Sequence, residues 1–535
     1  MAKTFSVTFL PQKITCKVEE GRTILQAEQD AGLEPDAPCG GAGKCGKCRV
    51  NIVEGRKTGV VLACQTKVEF DMKVDTMPME KVEKILAGGF SRHVDLDPGV
   101  SAVDGKPFYL MAFDIGTTTV VGYLMDGATG KVVSTQSRMN PQHQYGADVI
   151  SRANYVLETE GGSEIMKNAI VKALNELIAL AVKEVGASVQ DVRQVSIVGN
   201  TCMHHLFLGI SPKSLVLAPY VPAVKEGLIR RPSEVGIRIA EDGRVVILPN
   251  IAGFVGADTV GCMLAVAMDQ LDDMSLMIDI GTNGEMVLGN KKRMMTTSTA
   301  AGPAFEGAKI ECGMRGSKGA VSHLIERDDH IEFEVVDDAK PIGICGSGLI
   351  DILAFLIRRG FIDQMGGFVD ADELEDPLAV KEAWRLTKIN KQPAFILFKA
   401  EESGNHSAVY LSQKDVREVQ LAKGAIAAGI QILSEKLGIE TGEIKQVFLA
   451  GAFGNYMDSE SACTIGLIPY ELHDRIKAVG NAAGEGSKLA CLNQGQYAYA
   501  CRLAEEAEFI ELANEPEFQD VFVDQLQFDQ ARDDL

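Results

Sequence analysis

Two groups of residues in this sequence could do chemistry. The first is a set of thiols. Cys39, Cys45 and Cys48 follow Cys-x5-Cys-x2-Cys spacing in the run Cys39-Gly-Gly-Ala-Gly-Lys-Cys45-Gly-Lys-Cys48, and Cys64 follows inside Leu62-Ala-Cys-Gln-Thr66. This is an iron–sulfur spacing. Four thiolates suit a [2Fe–2S] or a [4Fe–4S] cluster, and a Gly-rich loop lets backbone N–H groups point at the sulfides. Zinc is the other ion that four thiolates hold, but zinc ribbons favour paired Cys-x2-Cys knuckles and only one occurs here. Cys16 lies on a strand-like stretch and reads as packing. The second group is a repeated turn, Phe113-Asp114-Ile115-Gly116-Thr117-Thr118-Thr119 and Ile278-Asp279-Ile280-Gly281-Thr282-Asn283-Gly284-Glu285. Each time an apolar strand runs into Asp-Ile-Gly-Thr and a second apolar run follows at once, which is a β-hairpin pattern. Gly lets backbone N–H groups approach a phosphate, threonine hydroxyls add donors, and the Asp ending the strand can hold Mg²⁺ directly or through water. Two such turns would clamp a nucleoside triphosphate and its metal.

The elements that must position these groups follow in order. Residues 1–77 read as a β-rich domain, with strands at Phe5–Leu10 and Ile14–Val18 and a short helix over Thr23–Leu33 ended by Gly32. Residues 78–108 carry one short helical stretch, Met77–Leu86, and then the Gly/Pro content of a linker. A tether there would let the thiol domain move. Residues 109–274 form a first α/β half. After its hairpin come a third strand near Lys131–Gln136, a polar loop Asn140–Asp148, a helix Val149–Leu157 and a long amphipathic helix over about Glu164–Val185. The buried strand Val195–Val198 then enters Gly199-Asn200-Thr201-Cys202-Met203-His204-His205. Neighbouring His on a helix point different ways, so a metal site there is disfavoured. Residues 275–514 form a second half. It contains Thr297-Ser-Thr-Ala-Ala-Gly-Pro-Ala-Phe-Glu-Gly307, and Cys345-Gly346-Ser347-Gly348 opening a helix. Bare N–H groups at that helix start suit a phosphate or adenosine. A long helix from Lys414 to Leu437 precedes Val447-Phe-Leu-Ala-Gly451-Ala452-Phe453-Gly-Asn455, which mirrors Val195–Asn200 and is a second sign of duplication. The acidic end, 515–535, shows little periodicity and is expected to be partly loose.

Composition sets bounds. At 535 residues the chain is too long for one core. A net charge of −21 argues against non-specific nucleic-acid binding and against anionic lipid. No apolar run approaches the roughly 20 residues of a membrane helix, and the N-terminus lacks a signal-peptide core. A cytoplasmic protein is expected, and in that reducing compartment its twelve Cys should form no disulfide framework.

These motifs resemble known families. The thiol loop, the helix before it and the strands around it resemble a β-grasp [2Fe–2S] ferredoxin of the plant or adrenal kind, although the gap to Cys64 is shorter than in either. The duplicated hairpins resemble the superfamily of actin, sugar kinases and acetate kinase. The expected fold is therefore α/β and multidomain: an N-terminal β-grasp ferredoxin domain, a linker, and a duplicated actin-like ATPase. A plant-type cluster sits at about −400 mV. A ferredoxin fused to an ATPase thus suggests an ATP-driven, low-potential one-electron donor.

Taken together, Cys39-x5-Cys45-x2-Cys48 with Cys64, the two hairpins, Val198–His205, Ala301–Gly307, Cys345–Gly348 and Ala450–Asn455 make the chain resemble the reductive activators of corrinoid proteins, which return cob(II)alamin to cob(I)alamin in methyltransferase systems. The resemblance implies that Cys39, Cys45, Cys48 and Cys64 hold a [2Fe–2S] cluster. It implies that Asp114 and Asp279 position Mg²⁺ and the attacking water. Gly116, Thr117, Thr118 and Thr119 with Gly281, Thr282, Asn283 and Gly284 would bind the phosphates of ATP. Gly346, Ser347 and Gly348 with Gly451, Ala452 and Phe453 would flank the nucleotide. Glu285 and Glu306 are candidates for aligning water. The implied partner is a corrinoid protein, with an external low-potential reductant and a homodimer left open; no Asp-x-His-x-x-Gly motif occurs, so the cobalt belongs to the partner. Longer members carry a further middle domain after the linker, for which the linker here is too short. Two other activities share features: the related activator of 2-hydroxyacyl-CoA dehydratases, which lacks a ferredoxin domain, and a small-molecule kinase with a redox regulatory domain, for which no acceptor site stands out.

Overall fold

The structure is a computed structural model that describes residues 3–33, 48–76, 91–451 and 456–528, together with 35, 37, 40, 41, 43 and 454. Cys39, Cys45, Ala452, Phe453, the helical stretch predicted at 77–86 and the last residues of the acidic end lie outside the described residues. The chain divides into two compact units, Met1–Lys84 with Leu96–Ala257 and Ala490–Gln494, and Ile85–Asp95 with Asp258–Leu489 and Gly495–Leu535.

The first unit begins with β1 (Thr4–Leu10), β2 (Ile14–Glu19), helix α1 (Ile24–Asp30), β3 (Arg49–Glu54), β4 (Gly59–Leu62) and β5 (Met72–Thr76). The sheet order is β2-β1-β5-β3-β4, with β1 and β5 parallel at the centre and a hairpin on either side. α1 starts on a capping box. The Thr23 hydroxyl accepts from the Gln26 N–H at 3.2 Å, and the Gln26 side chain accepts from the Thr23 N–H at 3.0 Å. Its apolar face, Ile24, Leu25 and Ala27, joins Val7, Phe9, Ile52 and Val74 in one core. This is the expected β-grasp layout.

The rest of the first unit is a six-stranded sheet. β6 (Tyr109–Ile115), β7 (Thr119–Asp126) and β8 (Val132–Met139) form an antiparallel meander. α2 (Val149–Glu158) and α3 (Gly162–Glu184) then lead to β9 (Val192–Gly199), α4 (Thr201–Leu208), β10 (Leu228–Arg230) and β11 (Arg244–Ile247). The order is β10-β11-β9-β6-β7-β8, with β9 parallel to both β6 and β11. The loop Asn140–Asp148, read as polar from its composition, is buried over Asn140–Gln144. The predicted linker is fixed in its second part. The Asp97 N–H bonds the Leu492 carbonyl at 3.0 Å, and the Gln494 N–H returns a bond to Asp97 at 2.8 Å.

The second unit opens with α5 (Ala257–Val266), β12 (Ser275–Ile280), β13 (Gly284–Asn290) and β14 (Arg293–Thr299). Two small three-stranded sheets follow, from β15 (Ala320–Glu326), β16 (Ile331–Val335) and β17 (Gly343–Ile344), and from β18 (Leu386–Ile389), β19 (Gln392–Phe398) and β20 (Val409–Ser412). α6 (Gly346–Arg358) and α7 (Gln413–Leu437) carry the helical core, and β21 (Gln446–Ala450), β22 (Ile476–Gly480) and β23 (Glu508–Phe509) complete the main sheet. Its order is β22-β21-β12-β13-β14-β23. Its strands β22-β21-β12-β13-β14 pair in the same senses as β11-β9-β6-β7-β8 of the first half. The duplication read from the repeated motifs is therefore a duplication of sheet topology.

The acidic end departs from expectation. Helix α8 (Phe518–Asp524) packs along α7, and Phe528 is 1% exposed within the main core of this unit. The Phe528 N–H bonds Gln364 O at 2.9 Å, and the Lys423 ammonium reaches the Gln527 carbonyl. The aromatic residues of this segment offset the charge that composition emphasised. Among the described residues no helix is long and apolar enough to cross a membrane.

Candidate functional site

The thiol site takes shape at one end of the β3–β4 ladder. Arg49 faces Leu62, and the Ala63 N–H bonds the Cys48 carbonyl at 2.7 Å, so Cys48 and Cys64 both lie at this end of the ladder. Cys48 is buried and Cys64 half-buried, and both are free thiols, as are the other eight described cysteines. Gly41 and Gly43 of the Gly-rich stretch lie beside Cys64 and Gln65. A Cβ on Gly41 would stand 3.9 Å from the Cys64 Cβ, and the Gln65 amide donates to Gly43 O at 3.4 Å. Free thiols beside glycine backbone are the donors and the lining that an iron–sulfur group takes.

The first hairpin turns at Gly116–Thr118. The Gly116 N–H bonds Thr119 O at 3.0 Å, and a Cβ on Gly116 would meet that oxygen at 2.7 Å, so only Gly closes this turn. Asp114 ends β6 and is half-buried, as are Thr117 and Thr118. Three residues that the sequence reading did not assign to the site support the turn. Asn140 Nδ2 donates to Gly116 O at 2.8 Å, and the Asn140 N–H donates to Thr118 O at 2.8 Å. The Arg152 guanidinium donates to Thr117 O, and Asn200 Nδ2 donates to Thr117 Oγ1 at 2.9 Å. Asn200 also caps α4, accepting from the Met203 N–H at 3.0 Å, and its place in the Gly-Asn turn after β9 was a usable signal. Nothing local marks Arg152.

In the second unit the hairpin places Asp279 directly across the ladder from Glu285. Glu285 is 8% exposed; its burial first, then Asp258 and Asp279, hold its carboxyl well above the usual carboxylate range. Burial pushes Asp279 up to about 6, opposed by the Cys262 thiol, whose sulfur lies 3.8 Å from Oδ2. Gly451 closes on the same point. Its φ is +88°, and a Cβ there would stand 2.7 Å from Asp279 Oδ1. Converging carboxylates repel, and a divalent cation would relieve that repulsion. Among the described residues no three side chains meet as a metal-ligand group.

The remaining candidates divide. Thr282 Oγ1 donates to Glu306 Oε1 at 2.5 Å, so the small-residue loop is tied to the second turn. Gly346, Ser347 and Gly348 begin α6 against β15. Ser347 is 4% exposed, and a Cβ on Gly348 would lie 2.3 Å from Val321 O. All three residues are buried, and Gly348 serves the close approach of helix to strand. His205 is fully engaged, with Nδ1 2.7 Å from Thr201 O and Nε2 accepting from the Ala223 N–H at 3.0 Å. His204 is buried, which pushes its pKa down to about 3 and keeps it neutral. The Cys202, His204 and His205 run is core, as the directional argument predicts.

With this geometry in place, comparisons with known proteins fall into line. Family models match most of the chain: the 2Fe-2S iron–sulfur cluster binding domain over residues 7–69, the RACo middle region over 109–271, and the C-terminal domain of RACo, the ASKHA domain, over 273–535. Middle-region sequence is therefore present, within the stretch read as the first ATPase half, where the sequence reading had counted a middle domain as missing. The corrinoid activation enzyme RamQ of Eubacterium limosum is 33% identical over 92% of this chain and 94% of its own length. A [Co(II) methylated amine-specific corrinoid protein] reductase of Methanosarcina barkeri is 24% identical over 68% of this chain and 66% of its own. The solved structure of a reductive activator for corrinoid, iron–sulfur protein is 30% identical, covers 98% of both chains and superposes with a TM-score of 0.71.

Proposed function

Because this chain belongs to the family of reductive activators of corrinoid proteins, we infer that it spends ATP to pass one low-potential electron to a corrinoid protein, returning cob(II)alamin to cob(I)alamin. The observation that carries this reading is one chain holding both a ferredoxin-type thiol site and two topologically equivalent phosphate hairpins, matched across 92% of its length by a corrinoid activation enzyme.

Cys39, Cys45, Cys48 and Cys64 would hold the [2Fe–2S] cluster, which supplies one-electron chemistry when bound. An external low-potential reductant delivers the electron, and the partner's cobalt(II) receives it. The ATPase residues would act as follows. Asp114 and Asp279 would hold Mg²⁺, which supplies positive charge beside the phosphates, and would orient the attacking water. The N–H and hydroxyl groups of Gly116–Thr119 and Gly281–Gly284 hold phosphate oxygens, and Gly451, Ala452 and Phe453 flank the nucleotide. Glu285, whose carboxyl burial and the neighbouring Asp258 and Asp279 hold above the usual carboxylate range, would align the attacking water. Glu306 holds the Thr282 hydroxyl in place. Hydrolysis changes the conformation of the complex and so makes an uphill transfer proceed. A cytoplasmic location and a homodimer are compatible with this reading.

The test mixes anaerobic, reduced protein with a cob(II)alamin-loaded corrinoid protein and follows visible spectra with and without MgATP. Cob(I)alamin appearing only with ATP is the expected result. No cobalt reduction with several corrinoid partners, despite an intact cluster and phosphate release, would overturn it.

A further inference from the structure

Two buried side chains outside the motifs grip the first phosphate turn from behind. In a planar trans peptide the C=O of one residue and the N–H of the next point in opposite directions. Asn140 pulls the Gly116 carbonyl inward at 2.8 Å, which aims the Thr117 N–H outward. Arg152 pulls the Thr117 carbonyl inward, which aims the Thr118 N–H outward. These are two of the N–H groups that a bound phosphate would use. Asn140 and Arg152 are both 0% exposed, so neither contact is shared with solvent.

The same two side chains hold a second segment. Arg152 Nε donates to Gly146 O at 2.9 Å, and its NH1 group reaches Gln142 Oε1 at 3.4 Å. Asn140 Oδ1 accepts from the Gln142 N–H at 3.0 Å, and Asn140 O accepts from the His143 N–H at 3.0 Å. Residues 141–146 are thus a tight turn, anchored further by Gln142 Nε2 on Met166 O at 3.0 Å. The guanidinium fork is planar and rigid, so a shift of the Thr117 carbonyl is shared with Gly146. The far side of this turn meets the ferredoxin domain. Gln29 Nε2, on α1, donates to Gln144 O at 3.3 Å. Gly40, next in sequence to Cys39, stands so close that a Cβ there would lie 3.0 Å from Tyr145 O.

We propose that Asn140 and Arg152 are positioning residues that aim the N–H groups of the first phosphate turn and pass phosphate occupancy through residues 141–146 to Gly40 and α1. This rests on the reading that ATP phosphates occupy that turn. Nucleotide then alters how firmly the ferredoxin domain sits on the ATPase half, and so when the cluster is presented to a partner.

The test is hydrogen exchange on the full-length, cluster-loaded protein, kept anaerobic, with and without a non-hydrolysable MgATP analogue. Analogue affinity is measured separately by calorimetry. In wild type, exchange over 24–33 and 140–148 should change together by about threefold or more. Gln29→Glu, which sets a carboxylate against the Gln144 carbonyl, should keep analogue affinity, the cluster spectrum and the response of 140–148, and lose the response of 24–33. Arg152→Lys should bind analogue roughly tenfold more weakly and lose both responses at saturation. If Arg152→Lys fails to fold, Gln29→Glu decides alone. Wild type that binds analogue with no change at 24–33 overturns the relay, as does a Gln29→Glu variant that keeps the full response. Wild type that binds no analogue overturns the ATP reading itself.

Discussion

Gly451→Ala separates the ordinary strain of a left-handed residue from damage to Asp279, the carboxylate proposed to hold Mg²⁺. Gly451 sits at φ +88°, where an alanine costs about 1–2 kcal/mol. The new methyl would also stand 2.7 Å from Asp279 Oδ1 and 3.4 Å from Ile280 O. Asp279 cannot retreat with its backbone, because it is paired with Ala450 on one side and Glu285 on the other. Its carboxylate must swing by roughly half an ångström or more to restore an ordinary contact. A misplacement of about 1 Å at a reacting site costs on the order of a hundredfold, so roughly tenfold is expected here. Gly438→Ala is the control. Gly438 has φ +69° at the end of α7, and nothing lies within 4 Å of its missing Cβ. Both variants should lower the melting temperature by a few degrees, since about 1–2 kcal/mol shifts a unit of this size by roughly 2–4 °C per kcal/mol. Only Gly451→Ala should slow phosphate release, measured in the steady state with saturating MgATP, and its cluster spectrum should match wild type. Equal loss of melting temperature in both variants, with full phosphate release in Gly451→Ala, would refute the assignment of Asp279 to the nucleotide metal.

Three further outcomes are expected. Cys64→Ser should bleach or alter the visible spectrum and abolish electron transfer while leaving nucleotide affinity unchanged; an unaltered spectrum would remove Cys64 from the ligand set. Asp279→Asn should stop ATP turnover and leave the cluster reducible. Burial raises the Asp279 pKa to about 6, so in metal-free protein its contribution to stability is complete below the ordinary value near about 4 and is lost as pH rises through about 6. Asp279→Asn should therefore flatten the fall of melting temperature over that window, and an unchanged slope would contradict the desolvated carboxyl. Phe528→Ala should destabilise the second unit by about 3 kcal/mol in denaturant melts, since the ring is 1% exposed in its core, whereas a loose tail would show no effect.

Residues that act within one turn could be read from the chain directly. The thiol spacing, the two Asp-Ile-Gly-Thr hairpins, the capped helices and the repeated strand pattern are local. Their chemistry depends on neighbours a few positions away, and backbone sterics fix those neighbours wherever the segment lies. The sequence therefore determined the ferredoxin-like module and the duplicated α/β halves. The partners of those turns were decided only in three dimensions. Arg152 and Asn140 reach the first hairpin because the α2 start and the end of β8 pass behind it. Gly451 meets Asp279 because β21 lies parallel beside β12, although most of the second half separates them in sequence. The Glu285 carboxyl is held above its usual range by burial and by Asp258 and Asp279 nearby, which no composition reveals. The acidic end folds back because a few aromatic side chains gain more from burial on α7 than their charged neighbours lose. Sheet order, close approach and desolvation are properties of packed elements, and they become legible only once the elements are packed.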